Sequence, residues 1–436
     1  MIERYELEPM KSLWSLPAQY ERWLAVELAF LQALEEAGDV PAGTHAAVER
    51  KARVDVAQIA KIEKEIGHDL LAFIRSVEEQ TGRAGRFFHR GLTSSDVKDT
   101  ALGLEIRDAL LLIEGAVRDL RDVLLTRARE HQDLVMVGRT HGMHAEPTTF
   151  GLKLLLFHEE LGRDLERLER ARETISVGKF SGPVGTYSQV SPKVERAACR
   201  LLGVAPATAE NQILQRDRHA EVLFALAVTG ATLEKLALEV RHLSRTEVGE
   251  VEEPAPEGSS SMPHKQNPIT SERVCGLARL LRAYLQVGLE NVPLWHERDM
   301  SHSSAERIVF PEGFGLLHYM LVRLTEVVSG LGIRPARMAK NLALTGGAIH
   351  SQAALVHLVD RGMPRAAAHQ AVERAARRAA EEGISFLEVL RSDPTLGKRL
   401  AKDPFDEKAL YERLRRTSRR LIAEGGRRVE KGRKRL

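Results

Sequence analysis

The chain has 436 residues, of which 43% are hydrophobic, and a net charge of only +3. That is ample for a large buried core and allows two to three domains; the near balance of charge argues against a general nucleic-acid binder. Cys199 and Cys275 form neither a ligand nor a disulfide pattern, no run reaches the ~20 apolar residues of a membrane helix, and no signal peptide is apparent, so a soluble protein of a reducing, intracellular compartment is expected.

Met1–Arg90 carries short helical patterns broken at Gly38-Asp39 and Gly67. GLTSSDVKDT (Gly91–Thr100) then reads as a loop feeding a helix, with Ser94, Ser95 and Asp96 as N-cap candidates. From Ile106, apolar residues recur at Leu110, Ile113, Val117, Leu120 and Leu124, one helical stripe. The pattern returns at Leu154, Leu161, Leu165, Leu168 and Ile175, and again at Leu226, Leu233, Leu236, Val240 and Leu243. Each segment predicts a helix of ~30 residues, ~45 Å long, whose stripe requires a packing partner. Few segments alternate as a strand would.

Between the first two stripes lies GRTHGMHAEPTTFG (Gly138–Gly151). Gly138, Gly142 and Pro147 oppose a regular helix, and Thr148-Thr149 suit the cap of a helix beginning near Phe150. His141 and His144 are therefore expected in a short irregular turn beside a helix N-terminus, a place that favours anions. Histidine suits proton transfer near neutral pH, although a capping or core role is equally open. A zinc site is not expected, because no further Cys or His stands at ligand spacing.

Further on, EVGEVEEPAPE (Glu247–Glu257) is acidic and broken by Pro254 and Pro256, and GSSSMPHKQNP (Gly258–Pro268) follows. Gly and Pro punctuation makes this a loop. It offers hydroxyls, a cation and an amide close together, the parts that hold an anion and move a proton; a surface linker is the plainer alternative. Trp295–Arg307, WHERDMSHSSAER, is dense in charge, as a solvated helix face often is. Gly346-Gly347 and Gly362 punctuate Ala/Arg-rich helices to the end. Ala401–Leu436 carries a net +7, which reads as a helix end suiting the dipole rather than an RNA-binding arm. The expectation is an all-α protein in three parts: residues 1–92, a central long-helix bundle over 93–341 containing the loop 247–268, and 342–436.

Three of these stretches, Gly91–Thr100, Gly138–Gly151 and Gly258–Pro268, resemble in order and approximate spacing the fumarase/aspartase superfamily of carbon–heteroatom lyases. Arg4-Tyr5, His68-Asp69 and Trp295–Arg307 resemble in particular its branch acting on succinylated purine nucleotides. The resemblance covers nearly the whole chain. It implies an all-α, three-domain fold whose long helices form the core of a homotetramer, with each active site shared among subunits. It implies a small-molecule substrate, no cofactor, no membrane and no nucleic-acid partner.

The same resemblance implies roles for residues. Ser259 matches the general base that takes a proton from the carbon beside a carboxylate, and His141 the general acid for the leaving nitrogen. Ser260 matches a carboxylate contact; Lys265 and Asn267 match groups that hold the charge building on that carboxylate. Arg273, eight positions after Lys265, matches a phosphate or carboxylate contact. Thr93, Ser94, Arg298, Ser303 and Arg307 match substrate contacts, and His89 a group orienting the phosphate. Arg4 and Tyr5 match a phosphate or ribose contact, His68 and Asp69 positions near purine and phosphate, and Gln212 a holder of a succinyl carboxylate. The muconate-cycloisomerase branch shares MPHK after its serines but has glutamine where Ser95 stands. Its substrate lacks a phosphate, which leaves Arg4-Tyr5 and His68-Asp69 idle. Argininosuccinate lyase, fumarase and aspartase usually differ at His264. A non-catalytic helical scaffold, or an RNA-binding protein using the basic tail, is the reading from another class, and it leaves the three motifs unexplained.

Overall fold

The structure, a computed structural model, describes residues 2–254, 257–258, 261–394, 396–400 and 407–433, with the backbone alone for 257–258 and 428–433. Ser259 and Ser260 lie outside the described residues. In chain order the main elements are α1 (Leu16–Ala37), α2 (Val56–Ile66), α3 (Asp69–Thr81), α4 (Ser94–Glu130), β1 (Val135–Thr140), β2 (Met143–Thr149), α5 (Phe150–Ile175), α6 (Pro192–Leu202), α7 (Asp217–Ser244), α8 (Ile269–Glu290), α9 (Ser301–Gly330), α10 (Pro335–Ala343), α11 (Ser351–Asp360), α12 (Arg365–Glu382), α13 (Phe386–Ser392) and α14 (Glu407–Arg433). The all-α expectation is met. No single helix among the described residues is long and apolar enough to cross a membrane.

α4 has 37 residues, about 55 Å of helix. Its predicted stripe, Ile106 to Leu124, is fully buried, and the stripes of α5 and α7 are buried as well. This refines the sequence argument: the stripes are covered within one chain and do not themselves require a second subunit. The large apolar residues left exposed on the long helices are others, including Leu111, Leu156, Phe224, Leu280 and Leu289.

Contacts within the chain group into two compact units. The first comprises Met1–Arg118, Arg163–Glu234 and Val274–Arg323. Its core gathers α1, α3, the start of α4 and α6 around Trp23, Phe73 and Phe30, and Phe30 stacks on Phe180 at 5.3 Å between ring centroids. The start of α4 corrects the predicted caps. Thr93 precedes the helix, and its N–H donates to Asp96 Oδ2 at 2.8 Å, while Asp96 N–H returns to the Thr93 carbonyl at 3.0 Å. Asp96 thus acts from the third helical position, as the acidic member of a capping box does. Ser94 and Ser95 fall in the first turn and are left for other contacts.

The second unit comprises Asp119–Gly162, Lys235–Arg273 and Leu324–Leu436. α11, α12 and α13 pack around Leu358, Phe386 and Leu390. In α14, Ser418 exchanges a 2.8 Å hydrogen bond with Thr149, and Arg419 Nε donates to Asp133 Oδ1 at 2.7 Å. The part of the basic tail that is described is therefore a packed helix.

This unit also overturns one local prediction. Gly138–Gly151 is not an irregular turn but a β-hairpin, β1 pairing antiparallel with β2. Two features hid it from sequence: a bulge between Val137 and Arg139 breaks the alternation, and Pro147 sits within β2. A Cβ at Gly138 would stand 2.9 Å from the Glu146 carbonyl, so glycine is what lets the strands approach there. Thr149 does cap the next helix as expected, accepting from Leu152 N–H at 3.1 Å.

Candidate active site

In the first unit, the starts of α3, α4 and α9 border a cavity of about 590 Å³. Helix N-termini present free N–H groups and the positive end of the dipole, which favours anions. Trp14, Trp23 and Pro311 supply apolar wall; His68, Asp69, Ser94, Lys98, Arg298, Ser303 and Arg307 supply polar groups.

His68 caps α3, its Nδ1 accepting from Leu71 N–H at 3.3 Å. A neutral His68 ring therefore carries its proton on Nε2. Asp69 Oδ1 accepts from Lys98 Nζ at 2.5 Å and Oδ2 from Arg307 Nη2 at 2.7 Å. Burial alone would raise the Asp69 carboxyl; the two cations outweigh it and bring its pKa down to about 2. Arg298 Nη1 donates to Gln212 Oε1 at 3.1 Å, so these two predicted contacts meet although 86 residues apart.

A second ion cluster lines the same cavity. Arg216 is buried and forks onto two buried carboxylates: Nη1 to Asp99 Oδ2 at 2.6 Å, and Nε to Glu306 Oε1 at 3.0 Å. It ties α4 to α9 through the sequence neighbours of Lys98 and Arg307. His219 and His302, also buried, are pushed down to about 3 and about 4 by burial and by Arg216, and so are uncharged near neutral pH. His89 takes a positive φ of 57° and is gripped by the buried Glu27, which accepts from its N–H at 3.1 Å and meets its Nδ1 at 2.6 Å. Burial pulls the His89 pKa down, but Glu27 outweighs it and the net shift is upward.

The second unit holds His141 at the hairpin tip. His141 and Gly142 have φ of 54° and 77°, the two positive angles of a type I′ turn. The tip is exposed. Close to the tip, Arg139, which pairs in register with His144, forks onto the buried Glu250, which also accepts from Asn341 Nδ2 at 2.8 Å. His144, half-buried, is pushed below the ordinary histidine value by burial and by Arg139. The loop ahead of α8 closes on a short antiparallel pair, Glu257–Gly258 with Gln266–Asn267, so Asn267 is fixed by strand pairing and Lys265 sits exposed in the turn between. Arg273 lies on the first turns of α8, whose start is capped by Glu253 accepting from Thr270 and Ser271 N–H groups at 2.9 and 3.0 Å.

Among non-glycine residues described, positive φ occurs at His89, His141, Tyr187 and His296. Three of the four are histidines within or beside the singled-out motifs, and such strain tends to gather at functional sites. Of the predicted site residues, His68, Asp69, Ser94, Arg298, Ser303 and Arg307 line the cavity, with Gln212 on Arg298. Arg4, Tyr5, His89 and Thr93 belong to the same unit outside that lining; Tyr5 packs edge-on against Tyr319 at 5.1 Å. His141, Lys265, Asn267 and Arg273 belong to the other unit. Sequence reasoning passed over Lys98, Asp99, Arg216 and Glu306. Lys98 was legible: it stands four residues after Ser94, on the same face once the helix start is known. Arg216 carried no local signal.

Comparison with known proteins bears on this arrangement. Residues 11–281 match the family model described as lyase, and residues 347–424 match the one described as adenylosuccinate lyase C-terminus. The chain is 50% identical to the adenylosuccinate lyase of Deinococcus radiodurans, over 90% of this chain and 93% of that one. It is 46% identical to that of Thermotoga maritima, over 93% and 95%. Among solved structures, the 3-carboxy-cis,cis-muconate lactonizing enzyme of Pseudomonas putida superposes with a TM-score of 0.86 at 30% identity, covering 97% of this chain and 98% of that one. The shared backbone is thus wider than one chemistry, whereas the higher identities and the C-terminal match select one branch. This chain belongs to the adenylosuccinate lyase family of the fumarase/aspartase-like lyases.

Proposed function

We propose that this lyase cleaves adenylosuccinate to AMP and fumarate by anti β-elimination, and cleaves the succinylated imidazole-carboxamide ribotide in the same way. The observation that carries this reading is the cavity of the first unit, where Lys98, Arg298 and Arg307 gather among three helix starts. A substrate with one phosphate and two carboxylates needs such a cluster of cations. The muconate reading leaves it without a phosphate to bind.

In the proposed mechanism Ser259 removes the proton from the carbon next to a succinyl carboxylate. The electron pair moves into that carboxylate, and Lys265 and Asn267 stabilise the resulting dianion. The carbon–nitrogen bond then breaks, and His141 delivers a proton to the departing nitrogen. Its seat at a strained, exposed hairpin tip braced by Arg139 and Glu250 suits a group presented to a substrate. Ser260 and Gln212 hold carboxylates; Thr93 and Ser94 contact substrate beside them. Arg4, Tyr5, His68, Asp69, His89, Arg273, Arg298, Ser303 and Arg307 contact or orient the nucleotide. No cofactor takes part.

The active form is a cytoplasmic homotetramer in which residues of different subunits complete each site. Support comes from the family resemblance and from the exposed apolar residues of the long helices, Leu111, Phe224 and Leu280 among them. Fumarate release from adenylosuccinate, followed spectroscopically, is the test. Argininosuccinate, malate, aspartate and a muconolactone serve as parallel substrates. Turnover confined to one of these would overturn the nucleotide assignment, and a mass measurement giving a monomer would overturn the shared sites.

A further inference from the structure

Asp69 presents a difficulty for the reading above. Arg307 is to bind a substrate anion, yet its guanidinium is already on Asp69 Oδ2 at 2.7 Å. An Arg–carboxylate pair is neutral overall, and its partner competes with any incoming phosphate or carboxylate. Here the carboxylate is shared. Lys98 Nζ holds the other oxygen, Oδ1, at 2.5 Å. The trio Lys98, Asp69 and Arg307 therefore carries a net positive charge instead of none.

The three side chains are unequally placed. Asp69 and Lys98 have 14% and 25% of their side-chain surface exposed, and Arg307 has 58%. Lys98 also lies over the Trp23 ring, 5.3 Å from its centroid, which restrains the ammonium on the cavity wall. Lys98 is thus the fixed partner of Asp69 and Arg307 the mobile one. Arg216 joins Asp99 to Glu306, the residues adjoining Lys98 and Arg307 in sequence, so α4 and α9 keep their spacing whichever way Arg307 turns.

We infer that Lys98 is a positioning residue: it retains the Asp69 carboxylate so that Arg307 is released to the anionic end of the substrate. This rests on the nucleotide reading above. When substrate binds, Arg307 exchanges Asp69 for the substrate anion, and Asp69 keeps a charge-assisted partner. Without Lys98, Asp69 keeps the Leu70 N–H at 2.7 Å but loses its buried cation, so it holds Arg307 more tightly and the substrate must displace a stronger competitor.

The test is steady-state kinetics on adenylosuccinate, with calorimetric binding of AMP as a readout independent of turnover, all on the full chain. Lys98→Met is expected to raise KM and the AMP Kd about tenfold, a loss of ~1.4 kcal/mol, with kcat within about twofold. Lys98→Arg restores a cation and brings both constants back to within about threefold of the parent. In Lys98→Met, a second change Asp69→Asn removes the competing anion and recovers part of the lost AMP affinity. Unchanged KM and Kd in Lys98→Met would overturn the inference, as would a fall in kcat alone. It is equally overturned if Asp69→Asn deepens the loss of AMP affinity in the Lys98→Met background. A parent protein inactive on adenylosuccinate but folded overturns the nucleotide reading instead, so the two failures are distinguishable.

Discussion

Arg139 and Glu250 meet as a two-pronged ion pair, Nη1 to Oε2 at 3.0 Å and Nη2 to Oε1 at 2.7 Å, and this pair anchors the hairpin two residues before His141 at its tip. Glu250 is fully buried. Removing Arg139 leaves a buried carboxylate with Asn341 as its remaining side-chain donor, and such losses typically cost ~3–5 kcal/mol. Arg139→Ala is expected to lower unfolding free energy by roughly that much in urea titration. It is also expected to cut kcat, because the hairpin loses its register brace. A stable, fully active variant would show that the pair does not position His141.

Ser259→Ala and His141→Ala are each expected to reduce kcat by at least ~10²-fold, the usual scale of a lost acid or base. Fold and subunit assembly should persist, since His141 is exposed at a turn. Fumarate release with parallel size-exclusion chromatography checks both points. Near-parental turnover in either variant removes that residue from the mechanism.

Glu105 is a buried acid lining the cavity, and its pKa is raised by burial from 4.5 to about 7, with Arg22 opposing and Asp108 adding. Its sign is the reverse of a paired carboxylate. The folded state binds the proton more tightly than the unfolded chain, so this residue's contribution to stability falls as pH rises from 4.5 through about 7. The full effect is on the order of 3 kcal/mol. Glu105→Gln is expected to gain most of that at about pH 8 and to flatten the stability profile between about pH 5 and 7. Denaturant midpoints across that range check it; an unaltered profile would show that Glu105 stays ionised in the fold.

His89 follows the same sign. Its pKa is raised above 6.5 because Glu27 outweighs the effect of burial. A raised histidine stabilises the fold fully below its unfolded pKa, and that stabilisation is lost as pH rises through the folded pKa. Thermal stability of the parent should therefore decline from about pH 6 into the alkaline range, and Glu27→Gln should abolish that decline. Equal pH profiles for the two proteins would exclude a charged His89–Glu27 pair.

Local chemistry was sufficient for some of this. The spacing of Ile106, Leu110, Ile113, Val117, Leu120 and Leu124 determined a long helix and its buried face, because a 3.6-residue period admits one way to bury them. Thr149 announced the start of α5, since a hydroxyl before a helix satisfies a free N–H. The three motifs, read together, determined the family. Tertiary structure decided the rest. The hairpin carrying His141 was invisible because strand pairing joins residues whose own sequence, with a bulge and a proline, does not alternate. Asp69 is 29 residues from Lys98 and 238 from Arg307, and Arg216 lies 117 residues from Asp99. No periodicity reports contacts at that separation. Which cation an aspartate shares depends on where helix starts converge, and only the folded chain sets that.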